Sequence, residues 1–427
     1  MDAQTENAAS QMTANPPRRA AFALLLAGAL CAGMGQTIVF SVLPPLAREA
    51  GLTNFQTGLI FAVSACCWVV SGPIWGRASD RRGRKPFILI GLIGFTISMI
   101  AFATSLRLGL AGALAGAPLW AFLVLARSLY GLLGSAGPPA AQAYIADRTS
   151  AEKRASGMAG FAAAFGLGAM LGPGFGAAAA VIGPVAPFFA MAALALTMAF
   201  AVYLFLPENR PPAERPAGPK VKLRDERLRP FLIFGLTFGV INSIPMQTIG
   251  FYFIDRLGFS IELAPQFVGV GLMGGAMASL FSQLVVVQRF GLPPGALMRI
   301  APCMIIIGHA LIWATADLGT VVFGMVIAGF GAGLAIPGYN AAASLAVAPE
   351  EQGAALGIAN AVGASGFIIS PFIGMTLYEL SPQAPFFFTM MLAIALAGFA
   401  WAHPRIRNAR AIQSELSDER PASAPYR

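Results

Sequence analysis

GRASDRRGRKPF, at positions 76–87, places five basic residues and one acid within a short segment. The sequence before it, LIFAVSACCWVVSGPIW, and the sequence after it, ILIGLIGFTISMIAFA, contain no charged residue. A helix needs about 20 apolar residues to cross the roughly 30 Å of hydrocarbon in a bilayer. The segment is therefore predicted to be a charged turn between two membrane-spanning helices.

The composition of the whole chain agrees with a membrane solvent. Of the 427 residues, 57% are hydrophobic and only 11% are charged, and the mean hydropathy is +0.70. Soluble domains carry about 25% charged residues, so this chain lacks the polar material to cover a soluble surface. Its apolar runs are continuous, whereas strands of a membrane barrel alternate. We expect an all-α integral membrane protein.

Twelve apolar runs are long enough to span the bilayer, and the first run is too long for a signal-peptide core. They are predicted at 20–43, 55–76, 86–105, 118–142, 157–180, 184–206, 229–252, 263–287, 296–315, 319–341, 353–377 and 383–402.

The polar stretch PENRPPAERPAGPKVKLRDERLR divides these spans into two sets of six, and the two sets repeat a motif. GAMLGPGFG (168–176) and GFIISPFIG (366–374) both read Gly-x-x-x-small-Pro-x-x-Gly. Parallel repeats of six helices predict two bundles with a binding site between them near the bilayer midplane. The predicted domains are an N-terminal tail (1–19), an N-terminal six-helix bundle (20–206), a linker (207–228), a C-terminal six-helix bundle (229–402) and a C-terminal tail (403–427).

The basic residues orient the chain, because lysine and arginine collect in cytoplasmic loops. All but four of the 28 lie on the side of the two termini. The exceptions are Arg48, Arg107 and Arg256 on the opposite side and Arg127 inside a span. We expect cytoplasmic termini in a cell inner membrane. The net charge of +9 is then explained by anionic lipid and topology, and no nucleic acid is expected as a partner.

The chain offers little that would support catalysis or metal binding. Its four cysteines (Cys31, Cys66, Cys67 and Cys303) lie in predicted spans without a histidine cluster beside them. We expect small buried residues, no disulfide, no metal and no cofactor. A nucleophile–base pair and a phosphate-binding loop are also missing, so an enzyme is not expected.

Three motifs resemble the major facilitator superfamily, and within it the twelve-helix drug:proton antiporter branch. They are the loop GRASDRRGRKP, RSLYG in the fourth span and GLGAMLGPGFGA in the fifth. The residues that carry the three matches are Gly76, Asp80, Gly83, Arg84, Lys85, Arg127, Gly131, Gly168, Gly172, Pro173 and Gly176.

The resemblance implies a gate. In relatives, the acid and the arginine of the loop join an acid at the end of the fourth helix, and Asp147 occupies that position here. We therefore expect an Asp80–Arg84–Asp147 network near the cytoplasmic end of the eleventh helix, locking the cytoplasmic side shut. The alternative is that the charges only control topology. The resemblance also implies that the fifth helix packs against the eighth and seals the path.

Arg127 lies near the bilayer midplane, where a buried charge is costly and is by default functional. Three roles stay open: hydrogen bonds to backbone carbonyls of the first helix, proton coupling, and a counter-charge for an anionic substrate. The central third of every span lacks Asp and Glu. Proton coupling would then depend on acids at the span edges or on His309.

The predicted function is export of small amphipathic molecules by alternating access, in exchange for protons, by a monomer in the lipid bilayer. The alternative is an importer or facilitator of a small organic anion. Polar side chains of the spans are the candidate substrate contacts. They are Gln36, Arg127, Tyr130, Asn242, Gln247, Tyr252, Tyr339, Asn340 and Asn360.

Overall fold

The computed structural model describes residues 16–149, 151–207, 222–348 and 351–409. Most of each predicted tail (1–15 and 410–427) and of the linker (208–221) lies outside the described residues. The part described is helical and contains 12 helices that are long and apolar enough to cross a membrane. These are α1 Pro16–Glu49, α2 Asn54–Arg82, α3 Lys85–Leu110, α4 Gly116–Arg148, α5 Ala151–Ala180, α6 Ala186–Phe205, α7 Arg229–Asp255, α8 Ala264–Val287, α9 Pro294–Ala314, α10 Leu318–Leu345, α11 Gln352–Leu380 and α12 Ala384–Ala402.

The twelve predicted spans are confirmed, although several helices are longer than their apolar runs. The helix α1 continues to Glu49 and α4 to Arg148. Hydropathy detects only the residues that meet hydrocarbon, whereas a helix can continue into the polar surface layer. The turn between α2 and α3 is formed at Gly83, whose φ of 92° favours glycine because other side chains rarely adopt it.

The tightest contact in the first half joins α1 to α5. A side chain at Gly168 would overlap the backbone of Leu30, and one at Gly172 would lie 2.5 Å from the carbonyl oxygen of Met34. Glycine therefore lets the two helix backbones approach at a distance that any larger residue would prevent. The motif glycines of α5 are used for this packing.

The second half repeats the contact with its own first and fifth helices. A side chain at Gly366 of α11 would overlap the backbone of Gly239 in α7, and one at Gly374 would lie 3.0 Å from Ile244. The repeated sequence motif thus has the same packing role in both halves. The halves meet through α1, α2 and α5 on one side and α7, α8 and α11 on the other.

We predict that Gly172→Ala weakens the fold while Gly174→Ala, two positions along the same helix, is tolerated. The methyl group at 172 would press on helix backbone, which cannot move away, whereas at 174 the nearest atom is the flexible Met273 sulfur at 3.1 Å. Overpacking of this kind costs about 1–3 kcal/mol. Thermal melting of the purified variants in detergent checks this, and equal melting temperatures would contradict the packing role.

Candidate functional site

Arg84 connects three helices at the charged turn. Its Nη1 donates to Asp80 Oδ1 at 2.5 Å and to Ser79 Oγ at 2.9 Å, and its Nε donates to Asp147 Oδ2 at 3.1 Å. The Arg84 residue is only 5% exposed, so the carboxylates compensate a charge that would otherwise be buried alone. The structure therefore brings together the three residues that the loop motif and the end of α4 predicted.

The neighbouring helix α11 does not reach this network in the present conformation. The Asp80 side chain is 61% exposed, and the described residues give it no bond to α11. A side chain added at Gly72 or Gly76 of α2, or at Gly353 or Gly357 of α11, would meet nothing within 4 Å. The contacts between α2 and α11 lie mainly at residues 366–380 and are few at 352–364. The two helices therefore diverge at this surface, which we call the Arg84 face.

The opposite surface, the Arg48 face, is held by an ion pair between the halves. Arg48 of α1 bonds Asp255 of α7 through two contacts, Nη1–Oδ1 at 2.5 Å and Nη2–Oδ2 at 3.0 Å. Tyr378 of α11 donates its hydroxyl to Asp255 Oδ2 at 2.8 Å, and Arg48 also reaches Asn54 Oδ1 at 3.0 Å. Where both partners are described, this is the only hydrogen-bonded or ion-paired link between the halves.

Aromatic side chains add apolar contacts between the halves. The ring centroid of Phe40 lies 5.8 Å from that of Phe367, and the centroid of Phe55 lies 6.1 Å from that of Phe372. Both pairs join the first half to α11. The halves are therefore in contact toward the Arg48 face, whereas α2 and α11 diverge toward the Arg84 face.

Arg127 is buried without a hydrogen-bonding partner. It is 4% exposed, and among the described residues its Nε and Nη1 find no acceptor. Its guanidinium carbon instead lies 4.5 Å from the centroid of the Tyr130 ring. The carbonyls of α1 do not accept from Arg127 here, so this one of the three roles left open by the sequence is not observed.

Tyr130 belongs to an aromatic cluster beside a cavity. Its ring centroid is 5.2 Å from those of Trp68 and Phe95. All three side chains line a cavity of about 60 Å³ whose wall comes from all six helices of the first bundle, in the half of that bundle nearer the Arg84 face. Leu25 and Phe165 are among the apolar residues of its wall. The cavity is thus an apolar space with Tyr130 at one end.

Three of the candidate substrate contacts in the second half take part in two hydrogen-bonded pairs. Gln247 Nε2 donates to Ser370 Oγ at 2.5 Å, and its buried Oε1 has no partner among the described residues. Asn340 Nδ2 donates to Asn360 Oδ1 at 3.0 Å. The second pair is partly exposed, as is Asn242.

Two tyrosines that the sequence proposed as substrate contacts are packed inside the second half. The Tyr252 hydroxyl donates to the carbonyls of Ile312 at 2.7 Å and Thr315 at 3.0 Å, which fixes α7 to the end of α9. The Tyr339 ring packs near Phe234 and Phe238. Both side chains therefore have packing partners within the second half, which the sequence did not indicate, because apolar sequence on every helix face hides which side meets a neighbour.

His309 is likewise inside a helix bundle. It is buried on α9, with its ring edge against Phe386 of α12 at 6.5 Å between centroids. The helix α9 packs mainly against α10 and α12, so His309 lies away from the boundary between the halves. Gln36, by contrast, is partly exposed on α1.

The helix α5 uses its two sides for different partners. Gly168, Gly172 and Gly176 face α1, whereas a side chain at Gly174 would lie 3.1 Å from the Met273 sulfur of α8. A side chain at Gly269 of α8 would likewise lie 3.0 Å from the carbonyl oxygen of Pro173. The expected contact between the fifth and eighth helices therefore exists. Gly131 of α4 similarly serves packing, since a side chain there would overlap the backbone of Ser64.

A second charged cluster lies at the Arg84 face of the second half. Arg227 contacts Asp225 Oδ2 at 2.8 Å and Glu351 Oε2 at 3.0 Å, which joins the start of α7 to the start of α11. The hydrogen bonds from Arg227 lower the pKa of Asp225 and that of Glu351. Each half thus carries one arginine between two carboxylates at this face.

Sequence reasoning placed Arg48 on the side opposite the termini but missed its pairing with Asp255 and the hydrogen bond from Tyr378. One signal was available: α1 and α7 are the first helices of their halves, and opposite charges stand at equivalent ends. The two residues are 207 positions apart, so only the repeat could have suggested the contact.

Comparison with known proteins places the chain in a family. The profile of the Major Facilitator Superfamily matches residues 25–371 and 286–425. The chain belongs to the major facilitator superfamily. It is 27% identical over 387 residues to multidrug resistance protein 1 of Bacillus subtilis, covering 89% of this chain and 96% of that protein. It is 31% identical over 368 residues to the class D tetracycline resistance protein of Salmonella ordonez, covering 80% and 86%.

A solved structure shares the fold of this superfamily member. The crystal structure of a D-xylose–proton symporter superimposes with a TM-score of 0.72 at 15% identity, covering 91% of this chain and 98% of that chain. The protein is therefore a multi-pass membrane transporter of small molecules, with the major facilitator fold of two six-helix bundles.

We predict that Asp80→Asn reduces transport several-fold while the protein still inserts and folds. The side chain is 61% exposed, so the fold loses little, as is usual for surface substitutions. Arg84→Gln should reduce transport and, unlike Asp80→Asn, should lower the melting temperature as well. The buried charge-assisted hydrogen bonds of Arg84 contribute about 1.5–3 kcal/mol each. Transport by vesicles and thermal melting check the two variants.

Arg77→Gln is the matched control, since Arg77 is an exposed charge in the same loop. If the loop served topology alone, Arg77→Gln would reduce insertion and Asp80→Asn would transport like the wild type. That result would contradict a role of the Arg84 network in gating.

Proposed function

We propose that this transporter exports small amphipathic molecules across the cell inner membrane by alternating access, in exchange for protons. The resistance proteins named among its relatives support export, and they do not favour the alternative of organic-anion import. The observation that carries the mechanism is the asymmetry of the two faces. An ion pair and aromatic contacts close the Arg48 face, while α2 and α11 are apart at the Arg84 face.

The proposed orientation puts the Arg84 face and both termini in the cytoplasm. The excess of lysine and arginine on that side supports it, through the rule that cytoplasmic loops are positive. In this orientation the conformation described is open to the cytoplasm, which is the state that loads a substrate for export. Release outside would require the Arg48–Asp255 pair to break and α2 to approach α11.

The proposed gate at the Arg84 face is the Asp80–Arg84–Asp147 network. Gly76 leaves room for α11 to approach, because its surroundings are empty in the present state. Lys85 is proposed to stabilise the first half rather than the gate. Its Nζ donates to the carbonyl of Tyr203 at 2.8 Å, which joins α3 to α6. Charged contacts suit a lock that must open again, since they exchange readily with water.

Proton coupling is proposed to use acids at the span edges, and Asp255 is the best placed of these. Its side chain is 31% exposed and sits on the boundary between the halves. A proton bound to Asp255 would remove its charge and its attraction to Arg48, so protonation favours opening of the Arg48 face. The burial of His309 within the second half leaves that residue without comparable access.

Accumulation of cationic, neutral and anionic fluorescent compounds in an efflux-deficient bacterial host tests the proposal. We expect lower accumulation of some compounds in cells that express the protein, and loss of that difference when a protonophore is added. Higher accumulation of anions would instead identify an importer. Equal accumulation of every compound with and without the protein would contradict export.

We predict that Asp255→Asn shifts the protein toward opening at the Arg48 face and slows turnover. Partly exposed ion pairs contribute up to about 1 kcal/mol, which corresponds to roughly a fivefold change in the population of the closed state. Reaction of Asn54→Cys with a membrane-impermeant maleimide, in a variant without native cysteines, measures exposure of the closed interface. Glu262→Gln, an exposed acid on the same side, is the control. Equal labelling in both variants would contradict the proposal that the Arg48–Asp255 pair holds the Arg48 face closed.

A further inference from the structure

The first half combines a buried cation that has no hydrogen-bonding partner among the described residues with an apolar cavity one turn away. Arg127 is 4% exposed, and its Nε and Nη1 have no acceptor among the described residues. Buried polar groups nearly always have a hydrogen-bond partner. A charged residue inside the membrane is costly and by default indicates a functional site. Arg127 lies near the midplane, and the central third of every described span lacks Asp and Glu.

Tyr130 connects the cation to the cavity. The Arg127 guanidinium lies over the Tyr130 ring at 4.5 Å, and the same ring lines the cavity together with Trp68 and Phe95. The remaining wall is apolar and includes Phe161. A ligand that extends along Tyr130 would place an acceptor at Arg127 and an apolar body in the cavity.

We propose that this is a substrate subsite for acidic amphiphiles, in which a carboxylate pairs with Arg127 and an apolar group fills the cavity. The subsite rests on the proposed function as a transporter and names a substrate class for it. A carboxylate suits the guanidinium because it supplies two acceptor oxygens and the opposite charge. An amine would be repelled by Arg127, since no carboxylate lines the cavity to compensate it.

The subsite must widen before a whole ligand fits. The cavity measures about 60 Å³, whereas pockets for drug-sized ligands are about 300–1,000 Å³. The backbone beside it offers a way to widen: α4 forms one π-helical turn at Tyr130–Gly134, a local irregularity that is common at functional sites. Glycines also line the space, and a side chain at Gly28 would meet nothing within 4 Å.

Equilibrium binding of three radiolabelled probes to the purified full-length chain in nanodiscs tests the subsite. The probes are 4-phenylbutyrate, 4-phenylbutanamide and 4-phenylbutylamine, which share one apolar body and differ in the polar end. At pH 7.5 we expect the acid to bind at least about tenfold more tightly than the amide or the amine, as a buried charge-assisted hydrogen bond implies. Equal binding of acid and amide by the wild type would overturn the proposal, whatever the variants do.

Two pairs of variants assign the binding to this place. Arg127→Gln should remove the preference for the acid and leave the affinity for the amide unchanged. Arg127→Lys should retain part of the preference for the acid. Gly28→Leu should weaken the binding of all three probes about equally, because the leucine side chain would fill the cavity. Gly72→Leu is its control, because Gly72 is a span glycine with equally open surroundings. An acid preference that survives Arg127→Gln would overturn the subsite.

The binding assay separates this proposal from the proposed function. A wild-type acid preference that depends on Arg127, in a protein that exports nothing from cells, would support the subsite and reject export. Export without any acid preference in binding would reject the subsite alone.

Discussion

The ion pair between Arg48 and Asp255 is the polar link between the two halves where both partners are described, and the proposed alternation of access depends on its release. It joins the end of α1 to the end of α7 and draws in Tyr378 of α11. Because both side chains are about 30% exposed, at 27% and 31%, water can replace either partner at small cost. The halves are therefore held by a bond strong enough to favour one state and weak enough to release. Apolar contacts such as Phe40 with Phe367 then set how closely the surfaces meet.

Inside each half the closest packing is between helix backbones. The backbones of α1 and α5, and of α7 and α11, touch at glycines where no larger residue fits. Lipid provides no hydrophobic drive for helices to associate, so close backbone packing of this sort stabilises the bundles. Rigid halves joined by a releasable boundary form a structure that can rock between two states, as proposed here for transport. The Arg84 and Arg227 clusters add one charged contact to each half at the same face.

The sequence predicted the twelve spans because each needs only an apolar run of sufficient length, and it predicted the Arg84 network because the loop motif specifies the residues. The sequence did not predict which way the side chains point within the spans. Tyr252 was proposed to meet substrate but bonds the carbonyls of Ile312 and Thr315. A helix that is apolar on every face carries no periodic signal to tell a neighbour from a cavity. That the Nε and Nη1 of Arg127 have no acceptor among the described residues also emerged only from the structure. The sequence does not show which side chains of the surrounding helices lie within hydrogen-bonding distance.

Distances between spin labels at the two faces test the alternation of access most directly. In a variant without native cysteines, one label pair replaces Glu49 and Glu379 at the Arg48 face, and another replaces Arg77 and Gly353 at the Arg84 face. When Asp255→Asn is added, the account predicts that the first distance distribution shifts to longer values while the second shifts to shorter ones. Distributions that stay unchanged at both faces, or that lengthen at both, would contradict it.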